Sequence, residues 1–279
     1  MKLLSELSSL GFDNDIDTIV FTEQENEMLY GSSKRRRSPN DTQYLLVKTI
    51  ECPCCGIDFD TYAVRAGKIT PAGQDDDLRP RFNEIDPLKY DVLMCPICGY
   101  ASLVKNFESA TSIFKDKIRE HVSPHFTGIV EEGFNYSYDE AIMRYKMAIL
   151  CDAVGSDMIS RRAFTCLKLS WVIRGYLESE SDKITLRRRK ELEADEYDCM
   201  QLAYKDFAKA YSEEKLPICG MDETTICYLL SVLSYKMKDY KETIRYIYIV
   251  LGNKTAPQKV KDKLLGLRDK AKVYVKGED

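Results

Sequence analysis

The chain has little histidine: His121 and His125 are the only two, and Trp171 is the only tryptophan. The histidines stand four apart, a spacing that can place two ligands on one helix face. Pro124 lies between them and breaks such a helix, and no glutamate sits inside the pair, so they are expected as ordinary surface or loop residues. Several motifs are missing as well. No G-x-G-x-x-G, no Walker phosphate loop and no G-x-S-x-G occurs, and nothing resembles a nucleophile–base pairing. An enzyme therefore has no motif-level support. No apolar run approaches the 18 residues that argue for a membrane span. The start, Met1 to Phe12, has only Lys2 as a basic residue, and Glu6 interrupts its leucines, so no signal peptide is read there. The expected location is the cytoplasm.

Strong net charge is also lacking. The balance is −4 over 279 residues, with 31% charged and 44% apolar residues. Such a chain can build a packed core but exerts no bulk attraction on nucleic acid or anionic membrane. Residues 1–130 hold 15 Lys/Arg against 20 Asp/Glu. The one basic run in that half, Lys34-Arg35-Arg36-Arg37, has no aromatic neighbours and is expected to be a solvated loop. A second run, Arg187-Arg188-Arg189-Lys190, is followed by Glu191 and Glu193 at i, i+4 from Arg187 and Arg189. That pattern reads as an ion-paired helix face.

What the chain does have is cysteine, ten residues in all. Four stand in two matching frames, Cys52-Pro53-Cys54-Cys55-Gly56 and Cys95-Pro96-Ile97-Cys98-Gly99. A tight turn after the first thiolate of each frame points both sulfurs at one place, and the glycine permits a positive φ. Two such hooks supply four thiolates in a tetrahedral array, which suits one structural Zn²⁺ and leaves no open position. Cys52, Cys55, Cys95 and Cys98 are the predicted ligands, with Cys54 pointing elsewhere. An iron–sulfur cluster is the alternative occupant. The 39 residues between the hooks exceed the span of compact zinc sites. Loop closure costs only about 0.6 kcal/mol per doubling of length, against about 10 kcal/mol or more from structural zinc binding. Cys151, Cys166, Cys199, Cys219 and Cys227 are expected as small buried residues in helices. Asp75-Asp76-Asp77 lacks the spacing of a calcium loop and reads as a solvated turn.

Strands are expected at Tyr44–Ile50, Phe59–Val64, Tyr90–Met94 and Tyr100–Val104, around a polar excursion from Gly67 to Pro87. From Phe107 the period changes to three and four, and residues 137–275 read as helical throughout. Ala141, Tyr145, Ala148 and Asp152 share one face, and Ala163, Leu167, Trp171 and Arg174 another. A long segment from Ser181 to Glu213 sets Leu192, Tyr197, Leu202, Phe207 and Ala210 apart from its charges. Helices follow at Asp222–Met237, Tyr240–Leu251 and Ala256–Val275. Lys238-Asp239 is so short a connection that its flanking helices should be antiparallel neighbours.

The run Asp75-x-Asp77-Leu78-Arg79, the block Ile85-Asp86-Pro87-Leu88-Lys89-Tyr90-Asp91 and Val92-Leu93-Met94 into the second hook with Tyr100-Ala101 resemble the bacterial domain-of-unknown-function family 2225. The first hook, Asp139-Glu140-Ala141-Ile142-x-x-Tyr145-x-x-Ala148 and the segment around Trp171 are also similar to it. The resemblance implies a bacterial, cytosolic protein with a zinc-hook region joined to tetratricopeptide-like helices. It implies no catalytic residue. Tyr138, Ala141, Tyr145 and Ala148 fit the tetratricopeptide pattern, whereas Tyr240, Thr243, Ile247 and Val250 fit it with enlarged small positions. A non-repeat helical bundle is the alternative.

The expected architecture is a multidomain α+β protein: a small zinc-ribbon β module followed by an all-α, tetratricopeptide-like helical-hairpin domain. Residues 1–43 form a partly disordered extension, 44–130 the zinc module with its long insertion 57–94, and 131–279 the helical domain. The expected function is a zinc-stabilised interaction scaffold or adaptor that takes a protein or peptide on a concave helical face. A nucleic-acid-associated zinc-ribbon protein is the alternative, disfavoured by the acidic balance, and a metal-dependent enzyme using the aspartates is a weaker third.

Overall fold

The computed structural model describes residues 41–126, 128 and 135–275. The N-terminal extension before residue 41 and the Lys34–Arg37 run lie outside the described residues.

Alternating β-branched and aromatic residues make the first hairpin. Strand β1 (Leu45–Glu51) pairs antiparallel with β2 (Asp58–Val64), in a register that sets Ile50 opposite Phe59 and Leu45 opposite Val64. Strands β3 (Pro71–Gln74) and β4 (Pro80–Phe82) form a second pair inside the expected polar excursion. The third pair is β5 (Val92–Met94) with β6 (Ala101–Leu103), buried on both faces. Tyr90, expected in a strand, instead ends a 3₁₀ turn over Pro87–Tyr90 that Asp86 caps by accepting from the Leu88 N–H at 3.0 Å.

Among the described residues the other long elements are helices. A single turn α1 (Val104–Phe107) precedes α2 (Ser112–His121), which starts at the Thr111 cap. Phe107, Ala110, Phe114 and Ile118 are all buried, as their spacing predicts, although the regular helix begins only after Thr111. Helix α3 (Tyr138–Gly155) opens with a capping box in which Ser137 and Glu140 satisfy each other's backbone N–H. Helix α4 (Ile159–Ser179) follows, then α5 (Leu186–Glu213), α6 (Glu223–Lys236), α7 (Tyr240–Gly252) and α8 (Gln258–Val275). Ala141, Tyr145, Ala148 and Asp152 are buried together, as are Ala163, Leu167 and Trp171. On α5 the buried face is Leu192, Cys199, Ala203, Phe207 and Ala210, whereas Tyr197 is exposed. The 3.6-residue period carries Tyr197 off the seam that Leu192 and Cys199 define.

Two compact units emerge. Among the described residues, the first joins 41–73 with the described part of 81–157 and with Thr165–Cys199. The second joins Gln74–Pro80, Met158–Phe164 and residues 200–275. Helix α3, which lies after the expected start of the helical domain at residue 131, falls in the first unit with β5 and β6. The reason is packing: α3 rests on β5 and β6, and the Tyr145 hydroxyl donates to the Leu88 carbonyl at 3.0 Å. A smaller cluster in the same unit gathers Leu45, Ile85, Tyr90 and Tyr136. In the second unit α6, α7 and α8 pack on one another, and the Tyr204 hydroxyl donates to Asp239, the residue that caps α7. Among the described residues no helix is long and apolar enough to cross a membrane.

Candidate metal centre

Each cysteine frame is the tip of a hairpin, the first between β1 and β2, the second between β5 and β6. The two tips are copies of one turn. In the first, Gly56 N–H donates to the Cys52 carbonyl (2.8 Å) and Cys52 N–H to the Ile57 carbonyl (3.0 Å). In the second, Gly99 N–H donates to the Cys95 carbonyl (3.1 Å) and Cys95 N–H to the Tyr100 carbonyl (2.8 Å). Gly56 and Gly99 have φ of 73° and 74°, the left-handed region that side chains resist.

These tips bring Cys52, Cys55, Cys95 and Cys98 together, with all four sulfurs within 4.8 Å of one another. Cys54 is not in that group. Cys52 Sγ lies 3.6 Å from Cys98 Sγ, and Cys55 Sγ 3.7 Å from Cys95 Sγ. Four bonds of about 2.3 Å to a tetrahedral zinc place sulfurs about 3.8 Å apart. The cluster has that size, and a disulfide would need about 2.05 Å. The four residues can thus hold one metal ion. Cys52, Cys95 and Cys98 are buried and Cys55 is exposed.

With protons in place of an ion, the thiols perturb one another. Hydrogen bonds from Cys54, Cys95 and Cys98 pull the Cys52 thiol far below its ordinary range. The bond to Cys52 pushes Cys95 up to about 12 and Cys98 well above the thiol range. Cys54 is also pushed up, by its bond to Cys52 and then by burial. Crowded sulfurs cannot all ionise together, and a cation removes that conflict by binding them as thiolates.

The surroundings hold the hooks through residues that spacing did not reveal. Arg119 Nε on α2 donates to the Cys54 carbonyl at 2.8 Å. Four residues on, Ser123 Oγ donates to the Cys98 carbonyl at 3.0 Å. One short segment therefore grips both hooks. Phe126 lies so close to Gly99 that an added Cβ would stand 2.7 Å from its ring. Cys151 on α3, expected as an apolar filler, accepts from the Ala101 N–H (3.4 Å) and donates to the Gly99 carbonyl (3.7 Å). A spacing rule cannot find it, because 52 residues separate it from Gly99. Cys166, Cys199 and Cys227 are buried in helices as expected. Cys219 is not helical: it sits half-buried in the turn between Ile218 and Met221, with φ of 50°, and donates to the Ser160 carbonyl.

The other candidates separate from this centre. His121 ends α2, 3.7 Å from Glu120, and His125 ends the 3₁₀ turn Ser123–His125. The aspartates are not a solvated turn. Asp76 is exposed, but Asp77 is 0% exposed and accepts from Lys236 Nζ on α6 at 2.8 Å. Burial is possible because the ammonium supplies the charge that water would otherwise screen. Arg187 pairs with Glu191 at 3.0 Å and Arg188 with Asp139 at 2.9 Å, as an ion-paired face requires. Arg189 donates to the Ser181 carbonyl.

No curated protein and no solved structure matches this chain. Residues 45–271, which hold both hooks and α1 to α7 with most of α8, match the family described as "uncharacterized protein conserved in bacteria (DUF2225)", and the chain belongs to that family.

Proposed function

We propose that the centre is a structural zinc site of ribbon type, and that the chain works as an interaction scaffold whose helical hairpins receive a protein or peptide. The observation that carries this reading is the closed set of four thiolates. Every tetrahedral position is filled by protein, so the ion has no place for water or substrate and serves to staple the two hairpin tips. The helical hairpins, read as irregular tetratricopeptide-like repeats, then supply the recognition face. Tyr248 on α7 and Val273 on α8 are exposed apolar side chains on these helices.

Elemental analysis of purified protein is expected to give about one zinc per chain from four ligands in one closed site. Iron with acid-labile sulfide, or no metal, would sink the zinc reading. Cys95→Ser is expected to lose the ion and Cys54→Ser to keep it. Affinity purification of the tagged chain from its host tests the scaffold role, with bound protein as the expected result. Nucleic acid retained at physiological salt would favour the alternative zinc-ribbon reading instead.

A further inference from the structure

The four sulfurs are not equivalent. Cys55 alone is exposed, and it faces buried Cys95 across the hooks at 3.7 Å. The second cross-hook pair, Cys52 and Cys98, is buried at 3.6 Å. A soluble oxidant therefore meets one ligand first, and that ligand has a partner sulfur already beside it. Each hook is braced internally by its own pair of backbone hydrogen bonds and by a glycine at positive φ. Arg119 and Ser123 hold the two hooks near each other from a single segment.

We propose that Cys55 is a hydroperoxide-reactive site, and that its oxidation ends in a Cys55–Cys95 disulfide across the hooks with release of the ion. This rests on the zinc reading above. The chemistry balances as follows. The Cys55 sulfur attacks one peroxide oxygen, the O–O bond breaks, and the leaving alkoxide or hydroxide takes a proton to become alcohol or water. Cys55 is then a sulfenic acid. The Cys95 sulfur attacks that sulfur, the S–O bond breaks, and the departing hydroxide takes a proton to become water. Two thiolates have lost two electrons, the peroxide has gained them, and zinc leaves unchanged as Zn²⁺. Cys52 and Cys98 cannot hold the ion alone, since two thiolates are half of a structural site. The hooks stay tethered because the new bond replaces the ion as the link between them. Oxidation would thus exchange one staple for another and report itself as free zinc.

The test uses the full chain with its ion, whose zinc content is measured first. Hydrogen peroxide is added in steps while a chromogenic zinc indicator follows release. The protein is then quenched in acid, alkylated and mapped by mass spectrometry. The expected result is about one zinc released per peroxide consumed, a dominant Cys55–Cys95 peptide pair, and recovery with dithiothreitol and zinc. In parallel, N-ethylmaleimide on the zinc-loaded protein is expected to label Cys55 before the other three ligands. Zinc retained under excess peroxide, a Cys52–Cys55 or Cys52–Cys54 disulfide, or equal labelling of all four ligands would overturn the proposal. A preparation with no zinc at the outset overturns the zinc reading and this one together; one with zinc that stays inert overturns this one alone. Cys55→Ser, if it keeps its ion, is expected to release it at least about tenfold more slowly. If it does not, the mapping of the unmodified chain decides.

Discussion

Gly56 and Gly99 occupy equivalent places in the two hooks, yet the structure asks different things of them. Both need a positive φ, which costs an L residue about 1–2 kcal/mol. Around Gly56 a Cβ meets nothing within 4 Å, whereas at Gly99 it would meet Phe126 Cγ at 2.7 Å and Cβ at 3.0 Å. The ring cannot swing clear when its own Cβ is part of the contact. Gly56→Ala is therefore expected to cost about 1–2 kcal/mol in urea unfolding of the full chain, and Gly99→Ala clearly more. Equal costs would mean that Phe126 does not confine the second hook. Asp77 poses a different question at the same scale. Its carboxylate is fully buried and its ammonium partner on Lys236 is 31% exposed at the side chain. Breaking a fully buried pair costs about 3–5 kcal/mol, and the exposure of Lys236 lowers that figure. Lys236→Met is expected to destabilise the chain by about 2–3 kcal/mol, read by chemical denaturation. A change under about 0.5 kcal/mol would place Asp77 among ordinary surface carboxylates.

Among the elements, α2 and α3 bear most directly on the metal centre. The aromatic cluster of Phe59, Tyr100, Phe107 and Phe114 fills the space behind the hooks, with Tyr100 and Phe107 centroids 4.7 Å apart and Tyr100 and Phe114 5.9 Å apart. Phe114 reaches that space because α3 carries glycine at 155, where a Cβ would stand 2.8 Å from the ring. Alanine ordinarily stabilises a helix by about 1 kcal/mol over glycine. Gly155→Ala is expected to do the reverse, lowering the thermal midpoint, since the ring contact outweighs the helical gain. A raised midpoint would show that α2 and α3 separate easily. Chelation should act along the same path. With the ion removed, amide exchange is expected to accelerate first at the hook N–H groups of Gly56 and Gly99 and then in β5 and β6, whose backbone meets Cys151. Helix α7, in the second unit, is expected to keep its protection. Uniform acceleration in every helix would indicate that the ion supports the whole chain at once.

For the whole molecule, unit membership makes a prediction about fragments. Helix α3 belongs with the hairpins, and its Tyr145 and Cys151 find their hydrogen-bond partners at Leu88, Gly99 and Ala101. A fragment of residues 131–279 leaves that face uncovered. It is expected to show reduced helicity by circular dichroism and to bind a hydrophobic dye, while the full chain does not. Native-like helicity in the fragment would support a domain boundary near residue 130. Net charge bears on partners at the same scale. With 20 acidic against 15 basic residues before position 130, DNA or RNA binding is expected to be weak and lost at modest salt. A gel shift that persists at physiological salt would contradict this.

The two hooks were legible in the sequence because everything that makes them is local. Cysteine spacing, a following glycine and flanking β-formers act within about ten residues, and the hairpin tips follow from them. Helix positions were legible for the same reason, since a 3.6-residue period is a local signal, and departures such as Tyr197 and the late start of α2 stayed small. Asp77 read as solvated because its partner stands 159 residues away. Cys151 read as filler because nothing within its own helix shows that it meets the second hook. Arg119 and Ser123 carry no motif; only the fold sets them against the carbonyls of Cys54 and Cys98. Local sequence signals were enough to single out the four cysteines that cluster and most of the described helices. Which helix the cysteine cluster rests on, which of its cysteines faces solvent, and which acidic residue is buried depend instead on groups brought together only when distant segments pack.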